Sequence, residues 1–491
     1  MIKHWKFGAK IIIFTVIMAI LIAEVNYVLT PKKYFDNTWP TTSAYKGFYQ
    51  MQENSIDVLY FGSSHTASGI CPQVVYNNYG IRSYNLGCEQ QNILVSYYWL
   101  KEALKYQTPK VVVLDTYMLF EYNHVEALNT AELCTRMAMD AMKWSDNKHE
   151  AIRAICENDD NQTYNSYLFK NIRFHTRWTS LSEQDFTFNS MEEHYELKGY
   201  TALVDRGKNV YMDYQPYSDF DRESKAEMKP LMQEYLNKIY QLCKDENIQL
   251  LLVKTPSTEW NTYKHNTVQD YADENGILFL DFNTSEVYNQ CGFVYSEDMN
   301  DNGHANIWGA EKMSLYLASI IYEKYEVGGG EYFEQWSDTN DYYERVFEDC
   351  ELKYITDLDE YIDAINKDRY TVLIATQYDM TGFMNDDAKT SFGKLGLDVT
   401  AEQFDGYYAA ISDYNTVQAV GHDTLRYSGS TRNKMIDFSI LSGGWDAGSA
   451  CSITINNVEY AKKWNGLNIV VYSNEMRKVV DSVVYNGSLN R

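Results

Sequence analysis

Basic charge is what this chain has least of: 43 Lys and Arg face 68 Asp and Glu, a formal net charge of -25. Binding to a phosphate backbone draws on Lys and Arg that displace counterions, so no nucleic-acid partner is expected. Metal-type spacing is missing too. The cysteines stand at 71, 88, 134, 156, 243, 291, 350 and 451, with no C-x-x-C pair and no His-rich cluster beside them, which argues against a zinc site. Their even number permits disulfides, but the wide scatter in a large chain reads as isolated small core residues. Proline is down to 7, whereas 43 Tyr and 10 Trp bring aromatic content to 15%. Flat amphipathic rings suit sugar faces as well as core edges. A chain of 491 residues, 45% of them hydrophobic, is long enough for two or three domains with real cores and is not a disordered one.

The start of the chain carries the compartment signal. MIKHWKFGAK precedes IIIFTVIMAILIA, a basic head before an apolar core, which is either a signal peptide or a membrane anchor. Cleavage favours small residues at the first and third positions before the cut, and a cut after Ala23 would put Leu21 at the third. An uncleaved anchor is therefore expected. Lys3, Lys6 and Lys10 before the segment against Lys32 and Lys33 after it, with a short head and a long tail, place the bulk of the chain outside the cytoplasm. A buried core helix is the alternative, and it would be expected to show a polar face. The expected layout is a cytoplasmic tail and anchor over 1–30 and a polar, aromatic stalk over 31–54.

Strand and helix patterns then alternate. IDVLYFG (56–62), SYNLG (83–87), KVVVLD (110–115), QLLLVKT (249–255) and ILFLDF (277–282) read as strands. QQNILVSYYWLKEALKY (90–106), KAEMKPLMQEYLNKIYQLCKDENI (225–248), VQDYADENG and WGAEKMSLYLASIIYEKY (308–325) read as helices. Near-continuous apolar strands between helices describe a parallel sheet covered on both faces. Ligands of such sheets bind outside the carboxyl ends of the strands.

Gly62-Ser63-Ser64-His65 follows the first of those strands, where it is either a plain turn with an N-cap or the seat of a serine nucleophile. A nucleophilic serine needs a base and a carboxylate that orients the base. Among nine histidines, His304 stands three residues after Asp301 in DMNDNGHANIWGAEK, just before the last helix of the block. An Asp-x-x-His loop lets the carboxylate fold back on one ring nitrogen and leaves the other to face the serine. Asp298 is the reserve carboxylate, and Ser63 and His65 read as supporting or exposed turn residues.

With these blocks in place, residues 55–325 resemble the SGNH (GDSL-like) hydrolases. Gly62-Ser63-Ser64 resembles their first block, Asn85-Leu86-Gly87 the second, and Asp301 to His304 with Asn306, Gly309 and Ala310 the last. The anchor makes the chain similar to the membrane-tethered branch that includes the teichoic acid D-alanyl transfer protein and the alginate acetylation proteins. The resemblance implies a flavodoxin-like three-layer α/β domain with Ser64 as nucleophile, His304 as base and Asp301 as its orienter. It implies oxyanion donors at the N–H groups of Ser64 and Gly87, no cofactor, a cell-surface or secreted polysaccharide as substrate, and a membrane-bound O-acyltransferase as neighbour. One departure stands out: Asp115 or Thr116 occupies the place where the third block supplies an Asn. An ionised carboxylate cannot donate to an oxyanion, and Gln90, Gln91 and Asn92 are the nearby substitutes.

Residues 116–224 are too long for a connection inside a compact sheet and form an insert, a lid or groove in which Arg173, His175, Arg177 and Trp178 would hold a polymer, or else a packed helical addition. EVGGGEYFEQWSDTNDYYERV lies in a linker assigned to 326–350. From 351 to 491 short alternating strands with one or two helices describe a β-rich domain. YTVLIAT, DDAKTSFGKLGL and GLNIVVYSNEMRKVVDSVVYNG resemble the interleukin-like EMT inducer domain, a lectin-like β-sandwich, which implies glycan or protein binding. Two functions are open at this level: a surface O-acyltransferase or esterase working through a serine acyl-enzyme, and a glycan-binding or assembly protein without turnover.

Overall fold

The computed structural model describes residues 2–30, 41–120, 128–181, 183–186, 195–207, 214–218, 221–330, 332–399, 405–413, 415–431 and 436–491. Lys32 and Lys33 of the orientation argument lie outside these residues. The chain divides into two compact units, Met1–Tyr343 and Glu344–Arg491.

The first unit is built on five parallel strands, β1 (Val58–Phe61), β2 (Ser83–Asn85), β3 (Val111–Asp115), β4 (Gln249–Lys254) and β5 (Leu278–Asp281). They lie in the order β2-β1-β3-β4-β5 and every pairing is parallel. Side chains of a strand alternate between faces, so each strand feeds two cores. Leu59 and Phe61 of β1, Val112 and Leu114 of β3 and Leu252 of β4 join one core beneath the helices Ile93–Ala103, Pro230–Asp245 and Thr262–Asn275. Val58, Tyr60, Val111, Val113 and Val253 point the other way, against Met313, Leu317 and Ile321 of the helix Ile307–Tyr325. Continuously apolar strands are thus explained by cover on both faces, and the layout is the flavodoxin-like α/β one.

Ahead of the sheet runs the helix Ile2–Leu29, whose stretch Phe7–Leu29 is apolar enough to cross a membrane or to be a signal sequence. The segment read as a stalk is in part packed chain: Thr41–Phe48 is a helix, Tyr45 stacks on Trp99 with ring centroids 4.1 Å apart, and Phe48 is buried beside it. The following turn of the linker is packed as well. Trp336 is buried in the same core and its Nε1 donates to the carbonyl of Ser83. The insert carries the helices Glu132–Ala141 and Asp146–Asn158 and short turns beyond them, with Met139, Ile152 and Ile155 in the main core.

The second unit holds two antiparallel sheets. Its strands are β6 (Tyr370–Gln377), β7 (Tyr407–Ser412), β8 (Asn415–Val420), β9 (Thr424–Ser430), β10 (Asp437–Gly443), β11 (Cys451–Ile455), β12 (Val458–Glu459), β13 (Gly466–Ser473), β14 (Lys478–Tyr485) and β15 (Leu489–Asn490). One sheet runs β15-β14-β13-β6-β7-β8 and the other β12-β11-β10-β9. Leu373, Ala410, Ile440, Ile453 and Val470 meet between them. The outer face of the larger sheet is covered by the helices Leu358–Ile365 and Asp386–Gly393 through Ile362, Ile365 and Phe392. All eight cysteines are free, and only Cys156 is less than fully buried.

Candidate active site

β1 ends at Gly62, whose φ of +155° a side chain rarely adopts. A Cβ there would lie 2.2 Å from Thr66 Oγ1 and 2.6 Å from Asp115 Cβ, so glycine alone lets the chain turn this closely past β3. The helix Ser64–Gly69 starts at once, with Ser63 as its N-cap accepting from the His65 N–H at 3.3 Å. Ser64 is the first helical residue, so its N–H has no intrahelical acceptor. It stands at the carboxyl end of β1, between β2 and β3, where the strand order reverses and crevices form.

On the far side, Met299 and Ala305 bridge to close a tight loop, and Asn306 caps the helix Ile307–Tyr325 by accepting from Gly309 N–H. Within the loop Asp301 Oδ1 accepts from the N–H groups of Gly303 and His304, both at 2.9 Å. The same carboxylate lies 2.9 and 3.0 Å from His304 Nδ1, and His304 Nε2 lies 2.8 Å from Ser64 Oγ. Ser64, His304 and Asp301 are therefore brought together across 240 residues of sequence. Burial pushes the Asp301 carboxyl up, but hydrogen bonding to His304, its charge and the Gly303 N–H outweigh that and hold it at about 2. Asp298 is elsewhere: its Oδ2 accepts from Val294 N–H at 2.7 Å and Lys312 Nζ at 2.6 Å.

The expected oxyanion donors divide. Gly87 packs against the Ser64 turn, since a Cβ on it would meet Ser63 O at 3.1 Å, but its N–H already donates to Asn85 Oδ1 at 2.9 Å. Asn85 is held in turn by donating to the carbonyls of Thr66 and Ile70. Of the substitutes, Gln91 is engaged as a donor, to Leu86 O and Ser96 Oγ; Asn92 caps the helix Ile93–Ala103 through Oδ1 and keeps a buried Nδ2 without a hydrogen-bond partner, and Gln90 Oε1 accepts from Ala131 N–H. Asp115 is buried, accepts from Tyr117 N–H through Oδ1, and keeps Oδ2 without a partner.

Sequence reasoning missed Lys254 and left His65 open between a supporting and an exposed turn residue. His65 is 4% exposed, so it is no exposed turn residue; its ring stacks on Tyr117 with centroids 4.0 Å apart and lies 5.0 Å from the ring of His304. Lys254, fully buried at the end of β4, donates to Thr255 O at 2.7 Å and points Nζ at His65 Nδ1, 3.3 Å away. Burial, the charge of Lys254 and that of His304 push His65 well below the usual imidazole range. Burial pulls Lys254 down, while Asp115 and Asp281 favour its charged form. An ammonium only donates, so a charged Lys254 favours the His65 tautomer with its proton on Nε2; Thr255 Oγ1 also lies 3.4 Å from Nδ1. The nearest sequence signal was QLLLVKT, a Lys closing an otherwise apolar buried strand.

Three parts of the site are tied by the end of the insert. Lys198 O accepts from Asn85 N–H, Thr201 N–H donates to Ala67 O, Leu203 O accepts from Ile307 N–H, and Gly207 N–H donates to Met299 O. The insert residues offered as polymer contacts lie against other groups: Arg173 pairs with Asp140 at 2.7 Å and Arg177 with Asp185 at 2.7 Å, while His175 and Trp178 are exposed. Among the described residues no group of three His, Cys, Asp or Glu side chains is placed to hold a metal ion.

No family model matches the chain, and no curated protein matches it. Among solved structures it is similar to a protein of Bacteroides fragilis described as a "putative acylhydrolase", at 13% identity and a TM-score of 0.26, over 57% of this chain and 95% of that one.

Proposed function

We propose that the chain is a membrane-anchored, extracytoplasmic serine O-acyltransferase or esterase of SGNH type that acts on a cell-surface or secreted polysaccharide. The observation that supports this reading is the unbroken path from Ser64 Oγ to His304 Nε2 and from His304 Nδ1 to Asp301. Ser64 Oγ attacks the acyl carbonyl and passes its proton to His304, which gives it to the leaving group as the C–O bond breaks. A sugar hydroxyl or water then attacks the acyl-serine, with His304 taking its proton and returning it to Ser64. Asp301 holds the ring tautomer and balances the imidazolium. The oxyanion would be met by the N–H of Ser64 and the Nε2–H of His65, in place of Gly87 and the absent Asn. A membrane-bound O-acyltransferase would supply the acyl group from the other side of the bilayer.

Full chain in detergent, treated with a nitrophenyl acetate and weighed intact, is expected to gain one acetyl group and turn it over. Ser64→Ala abolishes labelling and His304→Ala suppresses turnover. A folded wild type that takes no label supports the second reading, a glycan-binding or assembly protein. The bond from Gly87 N–H to Asn85 and the presence of Asp115 favour that second reading.

A further inference from the structure

The N-terminal helix and the insert meet at a definite height. The apolar stretch Phe7–Leu29 has 23 residues, about 34 Å at roughly 1.5 Å per residue, against a hydrocarbon core of about 30 Å. Residues 26–29 therefore fall at the outer boundary of a bilayer that the helix spans. There Asn26 Oδ1 accepts from Asn171 N–H at 3.1 Å, and Leu29 O accepts from Arg177 Nη1 at 2.7 Å. The short turns Asn171–Phe174, His175–Thr179 and Glu183–Phe186 all pack on that helix end.

Phe174 is buried, but the other large apolar side chains of this stretch are not. Trp178 is 70% exposed, Phe186 55%, Ile172 49%, Phe169 48% and Leu168 40%, all within 168–186. Single exposed apolar residues are ordinary, but five large ones in one short segment are not. Both arginines among them are paired, Arg177 with Asp185 and Arg173 with Asp140. Trp and Phe, with a flat apolar body, concentrate at membrane interfaces.

We propose that segment 164–186 is a membrane-interface element whose Leu168, Phe169, Ile172, Trp178 and Phe186 bed into the headgroup and upper acyl region around the N-terminal helix. It fixes the height and tilt of the α/β unit over the bilayer and so the distance of Ser64 from a membrane-borne acyl donor. The inference rests on the reading of the helix as a membrane span. The test places benzoylphenylalanine in the full chain in native membranes, at Trp178, at Phe186, at Ile17 within the span and at Tyr263 on an exposed helix, and identifies photoadducts by mass spectrometry. Lipid adducts at 178 and 186 as well as 17, with none at 263, are the expected result. Protein adducts at 178 and 186 overturn it in favour of a docked membrane protein. Lipid adducts at 17 alone overturn the interface and leave the anchor standing; no lipid adduct at 17 either removes the anchor reading and the interface with it.

Discussion

Asp301 and His65 carry opposite electrostatic duties at one site, and each leads to a measurement. A carboxyl held at about 2 when folded, against roughly 3.9 unfolded, adds stability above about pH 4 that is lost as pH falls through about 2. Any loss of acylation rate between pH 4 and 7 therefore belongs to another group. Asp301→Asn should lower the rate by about 10³–10⁴-fold, the cost of a misoriented imidazole, while keeping that acid limb in the pH profile. A limb that vanishes with the substitution would refute this assignment. His65 is pushed down as well, which for an imidazole favours the neutral ring, and in the proposed mechanism that ring donates through Nε2. His65→Ala should slow acylation of Ser64 by roughly 10²-fold, and His65→Gln, whose amide can still donate, should recover part of it. Equal losses in both variants with a falling melting temperature would reduce His65 to a packing residue. That Ser64, Asp301 and His304 meet was legible because each sits in a short local pattern, a strand end or an Asp-x-x-His loop. For His65 the choice between a supporting and an exposed residue stayed open, because its partner Lys254 is 189 residues away.

Between residue and molecule, the elements differ in how openly the sequence announces them. β1, β3, β4 and β5 were legible as runs of Val, Ile, Leu and Phe because both faces of the sheet are covered. The helix Ser64–Gly69 was not: all six of its residues are buried, so no polar face marks its period. Nor was the strap 195–207, which has no repeating pattern and earns its place through four backbone bonds to three parts of the site. Its weak point is Gly199, at φ +85°, where a Cβ would fall 1.8 Å from Asn85 O. Gly199→Ala must therefore push the strap off the Asn85 turn. The expected outcome is a loss of about 1–3 kcal/mol in stability and a larger fall in acylation than that loss alone explains. Thermal unfolding beside single-turnover labelling checks it, and unchanged labelling in a destabilised protein would show the strap to be scaffold only.

Across the whole chain, two units with separate cores account for the change in pattern after about residue 350. The first core pairs parallel strands with helices through residues such as Leu114; the second unit pairs two antiparallel sheets through residues such as Val470 and packs helices on the outer face of the larger sheet through residues such as Ile469. The division falls inside the helix Asn340–Glu351, within the stretch 326–350 read as a linker, and Trp336 with the turn around it is packed into the first unit. Buried apolar surface is the main driving force of each unit, and among the described residues each core cluster draws on one unit. Leu114→Ala and Ile469→Ala remove completely buried side chains, one from each, at an expected cost of about 2–5 kcal/mol. In calorimetry of the full chain each substitution should lower its own transition and leave the other in place. Ester labelling of Ser64 should weaken on heating with the transition that Leu114→Ala moves, because β3 and β1 are one sheet. A single transition shifted by both substitutions would mean that the two cores unfold as one cooperative body, and that the second unit bears on the stability of the site as well as on whatever it binds.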